Sequence, residues 1–237
     1  DCQDRRHRGR RFRQRISGND LSKWQYDPPG FSCWIYLHGL DAALDVNNYR
    51  NCSFEGLEAY AESRFLDHPI RELGCPGCPN ACIKSIHPNQ ANDLDPRASG
   101  IHQEITGTMG PNIGAGDLDI VLRANNLCNQ YGMDPTSLGL TISFAMELYE
   151  QGLLVTQQEM PLYFGDGAAA LQLAEQIAWR RGLGDLLAEG TMRAAAQIGG
   201  AAPRYAMQVK GLEMVPFEPR SQTNLALGYA VAPVGPR

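Results

Sequence analysis

No stretch of the 237-residue sequence approaches the ~20 consecutive apolar residues that a membrane-spanning helix needs. The basic start DCQDRRHRGRRFRQR has no apolar segment after it, so no secretory signal is expected. Charge of one sign is also missing. The chain has 21 basic and 26 acidic side chains, a net charge of −5, which offers no overall attraction to nucleic acid or to an anionic membrane. Seven cysteines are too few and too unevenly placed for a disulfide-stapled scaffold, and they favour a reducing compartment. The Gly-rich run GTMGPNIGAGD lacks the G-x-G-x-x-G that would join a strand to a helix around a dinucleotide. These absences lead to the expectation of a cytoplasmic globular protein with no membrane and no nucleic-acid partner.

What is present is mostly helical patterning. Asp117 precedes LDIVLRANNLCNQY, where Leu118, Val121, Ala124, Cys128 and Tyr131 share one face and Gly132 follows as a C-terminal turn residue. The stretch from Asp134 to Leu154 reads as a second helix, with Pro135 in its first turn and apolar residues nearly all round. DGAAALQLAEQIAWRRG and GDLLAEGTMRAAAQIGG read as two more helices, each closed by glycine. Ser53 reads as the N-cap of a helix over FEGLEAYAESRFL, and the start of EITGTMGPNIGAGD as helical. RYAMQVKGLEMVP offers a short strand, and FEPRSQTNLALGYAVAPVG a loop and a helix. SIHPNQANDLDPRASG reads as irregular chain. The expected architecture is mostly α and multi-helical, with little sheet. Residues 1–30 form an Arg-rich segment expected to lack defined structure, 31–200 a helical domain, and 201–237 the start of a further one.

The chemistry concentrates in ELGCPGCPNACIK. Cys75, Cys78 and Cys82 fall in a C-x2-C-x3-C pattern inside a Pro- and Gly-rich loop. Two residues between thiols let both point at one metal, and a third thiol three positions on suits the corner of an iron–sulfur cube. His87, five positions further, keeps a Cys3His zinc site open as the competing reading. Three thiols in such a loop are poor core packing. Cys128, by contrast, sits on an apolar helix face and reads as a core residue.

Several stretches together resemble the tungsten-dependent aldehyde ferredoxin oxidoreductase family. They are GCPGCPNACIK, LRANNLCNQYGMDPTSLGLTISFAMELYEQG, GLGDLLAEGTMRAAAQIG and VKGLEMVPFEPRSQTNLALGYAVAPVGPR, in that order, and the likeness runs from Tyr36 to Arg237. The resemblance implies the family's second domain and the start of its third. It also implies a [4Fe–4S] cluster on Cys75, Cys78 and Cys82, with a fourth cysteine beyond Arg237. A bis-pterin tungsten (or molybdenum) cofactor would complete the enzyme. The implied activity is oxidation of an aldehyde to a carboxylic acid, with electrons passing through the cluster to ferredoxin. A homo-oligomer is compatible with the sequence. A relative that reduces an aromatic or carboxylate substrate shares all of these motifs.

The same resemblance assigns individual residues. Glu104, in IHQEITGTMG, falls where the family places an active-site glutamate. The pterin motif D-x-x-G-L-D reads here as Asn129, Gln130, Tyr131, Gly132, Met133 and Asp134. Asp134 keeps the second carboxylate. Asn129 replaces the first, so an amide oxygen accepts in place of a charge. Arg220, in FEPRS, is read either as a cofactor contact or as an ion-pair residue.

Overall fold

A computed structural model of the chain describes residues 2–72, 82–86, 100–155 and 160–236. The expected ligands Cys75 and Cys78, and the competing His87, lie outside the described residues. The architecture is mostly helical, as expected. Two antiparallel two-stranded ribbons are its only named sheets among the described residues.

The Arg-rich start is helical rather than undefined, forming α1 (Cys2–Ser17). Arginine and glutamine are good helix formers, and Asp4 pairs with Arg8 one turn on. α2 (Asp20–Tyr26) follows, with Asn19 accepting from Ser22 N at its N-cap. The segment from Gly30 makes one 3-10 turn and runs into α3 (Trp34–Leu40). A single turn, α4 (Val46–Tyr49), is left-handed: Asn47, Asn48 and Tyr49 have φ of 51°, 54° and 64°. Asparagine tolerates this region; tyrosine does so rarely, and its hydroxyl is fixed on Val215 O at 2.6 Å.

The helix expected after Ser53 is broken. Leu57–Tyr60 is a 3-10 turn, and α5 spans only Glu62–Leu66. Tyr60 and Phe65 are both fully buried. In one continuous helix, residues five apart point about 140° away from each other, so the kink at Ala61 lets both face the core. β1 (Ile70–Glu72) pairs antiparallel with β2 (Lys84–Ile86), where irregular chain was expected. This ribbon flanks the cysteine loop.

The interior is built around α6 (Gln103–Met109), α7 (Leu118–Tyr131) and α8 (Pro135–Glu150). α7 begins and ends as expected: Asp117 accepts from Asp119 N, and Gly132 closes it with φ 68°. Its apolar face is buried from Leu118 to Cys128, but Tyr131 turns out to solvent and meets Trp179 edge-on. α8 is buried all round from Leu138 to Leu148, as its sequence predicts. α6 crosses it closely. A Cβ on Gly139 would lie 2.5 Å from Thr108 Cβ and 2.7 Å from its carbonyl carbon, so this position admits no side chain. α9 (Gly167–Ala178) covers α7 and α8.

The next expected helix splits at Gly190 into α10 (Leu183–Leu187) and α11 (Thr191–Ile198). Gly190 has φ 82°, outside the helical region. The head of α11 is capped from a distance, by Glu213 Oε1 accepting from Thr191 N at 2.8 Å and from Thr191 Oγ1 at 3.0 Å. Glu213 lies on a ribbon of β3 (Gln208–Val209) and β4 (Leu212–Glu213), joined through Lys210 and Gly211, both at positive φ. α12 (Thr223–Val231) follows. No helix of the described residues is long and apolar enough to cross a membrane.

Candidate functional site

The site is organised around the head of α6. Upstream, the chain turns at Gly30, with φ 78°, against the end of the cysteine loop. A Cβ there would sit 2.5 Å from the Cys82 carbonyl oxygen and 2.9 Å from Lys84 Cγ, so glycine alone fits. The close approach lets Phe31 N donate to Cys82 O at 3.1 Å. The Phe31 ring then stacks on the His102 imidazole, with centroids 4.6 Å apart and planes 24° from parallel. Trp34 packs against Phe31 at 5.4 Å, and His38 and Phe217 extend this aromatic group.

His102 is the N-cap residue of α6, yet its side chain makes no capping bond. Its carbonyl does the anchoring, accepting from Thr106 N at 3.2 Å and Thr106 Oγ1 at 3.1 Å. The ring is left to contact Glu104, His102 Nδ1 against Glu104 Oε2. Glu104 Oε2 is buried and has no hydrogen-bond partner. Desolvation lowers the His102 pKa to about 4, so the ring is neutral at pH 7. The side chains of His102 and Glu104 remain 31% and 28% exposed, within reach of a small molecule.

The predicted pterin residues lie at the next helix head. Thr108 Oγ1, one turn past Glu104, donates to Glu104 O at 2.9 Å and also approaches Pro135 O at 3.5 Å. Pro135 starts α8, and Asp134 caps it: Oδ1 accepts from Thr136 N at 2.9 Å and Ser137 N at 3.4 Å. Gly132 turns the chain between α7 and α8, and Met133 N bonds back to Cys128 O at 2.9 Å. Asn129 Nδ2 donates to Asn125 O, one turn back on α7, at 2.7 Å. Asn129 and Asp134 are exposed, and Met133 is half-buried. Met133 and Asp134 help line a pocket of about 220 Å³, together with Leu138, Ile177, Leu187 and Gly190.

The structure thus joins Cys82, His102 and Glu104 in one chain of contacts through Phe31, and sets Asp134 at the head of the helix that packs on α6. Phe31 was not singled out in the sequence. Its only local signal is the turn YDPPG just before it. Arg220 proves to be an ion-pair residue: its Nε and Nη2 reach the two oxygens of buried Glu218 at 2.7 and 2.6 Å, and Nη2 also bonds Tyr49 O. Cys128 is a core residue, its thiol pushed up to about 12 by burial.

Among the described residues no three His, Cys, Asp or Glu side chains converge as a metal site, and two of the three expected thiols lie outside them. The groups that are described fit the expected cofactors. Cys82 is a free, half-buried thiol at the end of the loop. Exposed Asp134 offers a carboxylate at a pocket wall to amino donors.

A family model described as aldehyde ferredoxin oxidoreductase, domains 2 and 3, matches residues 9–237. The chain belongs to the aldehyde ferredoxin oxidoreductase family. Within it, the chain is 35% identical over 222 residues to the tungsten-containing aldehyde ferredoxin oxidoreductase of Thermococcus kodakarensis, covering 91% of this chain and 34% of that protein. It is 30% identical over 167 residues to an aliphatic sulfonate oxidoreductase, WOR-like subunit, of Pyrococcus furiosus, covering 67% and 27%. Among solved structures it is similar to a chain of the active site complex BamBC of benzoyl coenzyme A reductase with 1,5 dienoyl-CoA. That match has a TM-score of 0.62 and 26% identity, covering 77% of this chain and 27% of the other. The chain spans about a third of the length of the tungsten-containing relatives, 34% of the Thermococcus protein and 32% of one from Pyrococcus abyssi.

Proposed function

We propose that the chain is part of a tungsten pterin oxidoreductase that oxidises an aldehyde to a carboxylic acid and passes the electrons to ferredoxin. The observation that supports this best is the contact chain from Cys82 through Phe31 to His102 and Glu104. It links the thiol loop to a carboxylate that borders an imidazole and is open to a small molecule. In this reading Cys75, Cys78 and Cys82 hold three corners of a [4Fe–4S] cluster. Asn129 and Asp134 accept hydrogen bonds from a pterin, and Gly132 and Met133 shape its edge. When bound, the tungsten pterin and the cluster take up and relay the two electrons. The remaining work is proton handling. R–CHO + H2O gives R–COOH with release of two electrons and two protons, and Glu104 is placed to accept a proton from the reacting water. The chain's own groups otherwise orient: α8 holds Asp134 at its N-cap, and the Phe31 ring covers one face of the His102 imidazole beside Glu104.

The aromatic group also favours a second reading, reduction of an aromatic ring, in line with the similarity to the benzoyl coenzyme A reductase complex. One assay separates the two. The intact enzyme, purified without oxygen, is given benzaldehyde with an oxidised viologen dye, or benzoyl-CoA with a reduced one. Dye reduction by benzaldehyde alone is the expected result, and dye oxidation by benzoyl-CoA alone would establish the second reading instead.

A further inference from the structure

We propose that Lys84 is a buried charge that sets the reduction potential of the thiol-loop centre: its ammonium, locked under Gly30 at the root of the loop, favours the added electron, and the exposed Glu72 carboxylate offsets it in part. This rests on the reading that Cys75, Cys78 and Cys82 hold a cluster.

Lys84 is 1% exposed, which is rare for lysine. Three features set its place. It opens β2, two residues after Cys82, and its main-chain carbonyl accepts from Ile101 N at 3.0 Å. Glu72 ends β1 and is its register partner, so this pair closes the ribbon at the base of the segment that carries the thiols. Gly30 covers its stem. A Cβ on Gly30 would lie 2.9 Å from Lys84 Cγ, 3.4 Å from Lys84 Cε and 2.5 Å from the Cys82 carbonyl oxygen. The lysine stem and the Cys82 main chain are therefore neighbours, and a side chain at position 30 would part them.

The carbon stem alone would fill the space under Gly30, and burying an ammonium is costly, so packing does not explain the charged end. Its electrostatics do. Surrounded by protein rather than water, the ammonium has a field that is less screened and reaches further. Glu72 Oε1 stands 3.6 Å from Lys84 Nζ, but that carboxylate is 66% exposed. Solvent screens it, so it cancels only part of the lysine's charge. The net field of the pair at the root of the loop is positive. A thiolate-held cluster becomes more negative with each electron it takes, and the charge around it is one of the terms that set its potential. A cation fixed beside Cys82 therefore raises that potential.

The test is a dithionite titration of the intact protein, purified without oxygen, with the reduced cluster read by electron paramagnetic resonance. Lys84→Met keeps a stem of similar length and removes the charge. Reduction is expected to be about tenfold less favoured than in wild type, which for one electron is a potential lower by about 59 mV. Glu72→Gln changes only an exposed side chain. It is expected to move the equilibrium the opposite way, by about two- to threefold, in a shift that shrinks as salt is raised. A merely structural role would not give opposite signs in two variants that keep their iron. An unchanged potential in Lys84→Met, or shifts of the same sign in both variants, would overturn the proposal. Should Lys84→Met fail to fold or to hold iron, Glu72→Gln decides alone, and an unchanged or lowered potential there overturns it. A wild-type protein without iron and sulfide would instead defeat the cluster reading, and the proposal with it.

Discussion

Glu104→Gln in the intact enzyme is expected to lower kcat by about 10²–10⁴-fold, the usual worth of a positioned acid–base group. Glutamine keeps the length and shape of the side chain and can still lie against His102, but it cannot take up a proton. Glu104 sits in the first turn of α6, where its charge favours the helix by about 0.3–1 kcal/mol. The folding cost of the change is therefore small, and tungsten and iron contents should match wild type. Loss of turnover with full cofactor content separates a chemical role from a structural one. Unchanged turnover would remove Glu104 from the mechanism.

The second large effect concerns Asp45, just before the left-handed turn α4. It is fully buried, and neither carboxylate oxygen has a hydrogen-bond partner. Asn112 donates to its main-chain carbonyl at 2.5 Å rather than to the side chain. Burial raises its pKa to about 7, with a smaller push from the charge of Glu218. Tyr49, Tyr229, Glu218 and Asn112 are the polar groups around it. The sign of the pH effect follows directly. The folded state holds a proton on Asp45 that the unfolded chain gives up near pH 4. The stabilisation from that proton is complete below pH 4 and is lost as pH rises towards about 7. Three pKa units correspond to a change on the order of 4 kcal/mol. Asp45→Asn keeps the shape and cannot ionise. It should melt at the wild-type temperature at pH 5 and clearly above it at pH 8. Equal melting at both values would show that Asp45 is solvated or paired.

The legible parts of the fold are those decided by neighbours in sequence. α7 was readable because Asp117 and Gly132 mark its ends and its apolar residues repeat with the helical period. α8 was readable because Pro135 opens it and its apolar run has no polar face. The misread parts depend on distant partners. The head of α11 is satisfied by Glu213, 22 positions away, so nothing nearby reveals the break at Gly190. The segment after Ser53 looks helical by composition, but Tyr60 and Phe65 must both reach the core, and only a kink allows that. β1 and β2 are too short to show a period, and they form because they pair with each other around the thiol loop. Helix α1 was read as undefined because its charge dominates its composition, although its residues favour helix.

The candidate site divides in the same way. Glu104 and the stretch from Asn129 to Asp134 could be named from sequence because each is carried by a local motif. That Glu104 would meet His102, and that His102 would lie on a ring bonded to Cys82, required the fold. Phe31 and Cys82 are 51 positions apart, and only the close approach at Gly30 brings them together.

The central claim is that the thiol loop and the helix heads beside it hold a redox centre. It is tested most directly on the intact protein, purified without oxygen, by measuring iron, acid-labile sulfide and tungsten together with the visible spectrum, in wild type and in Cys82→Ser. The account predicts about four irons and four sulfides per chain, tungsten, and broad visible absorbance that bleaches with dithionite. In Cys82→Ser the iron, the sulfide and the absorbance should fall together. A colourless wild-type protein holding one tightly bound zinc, and no tungsten, would contradict it.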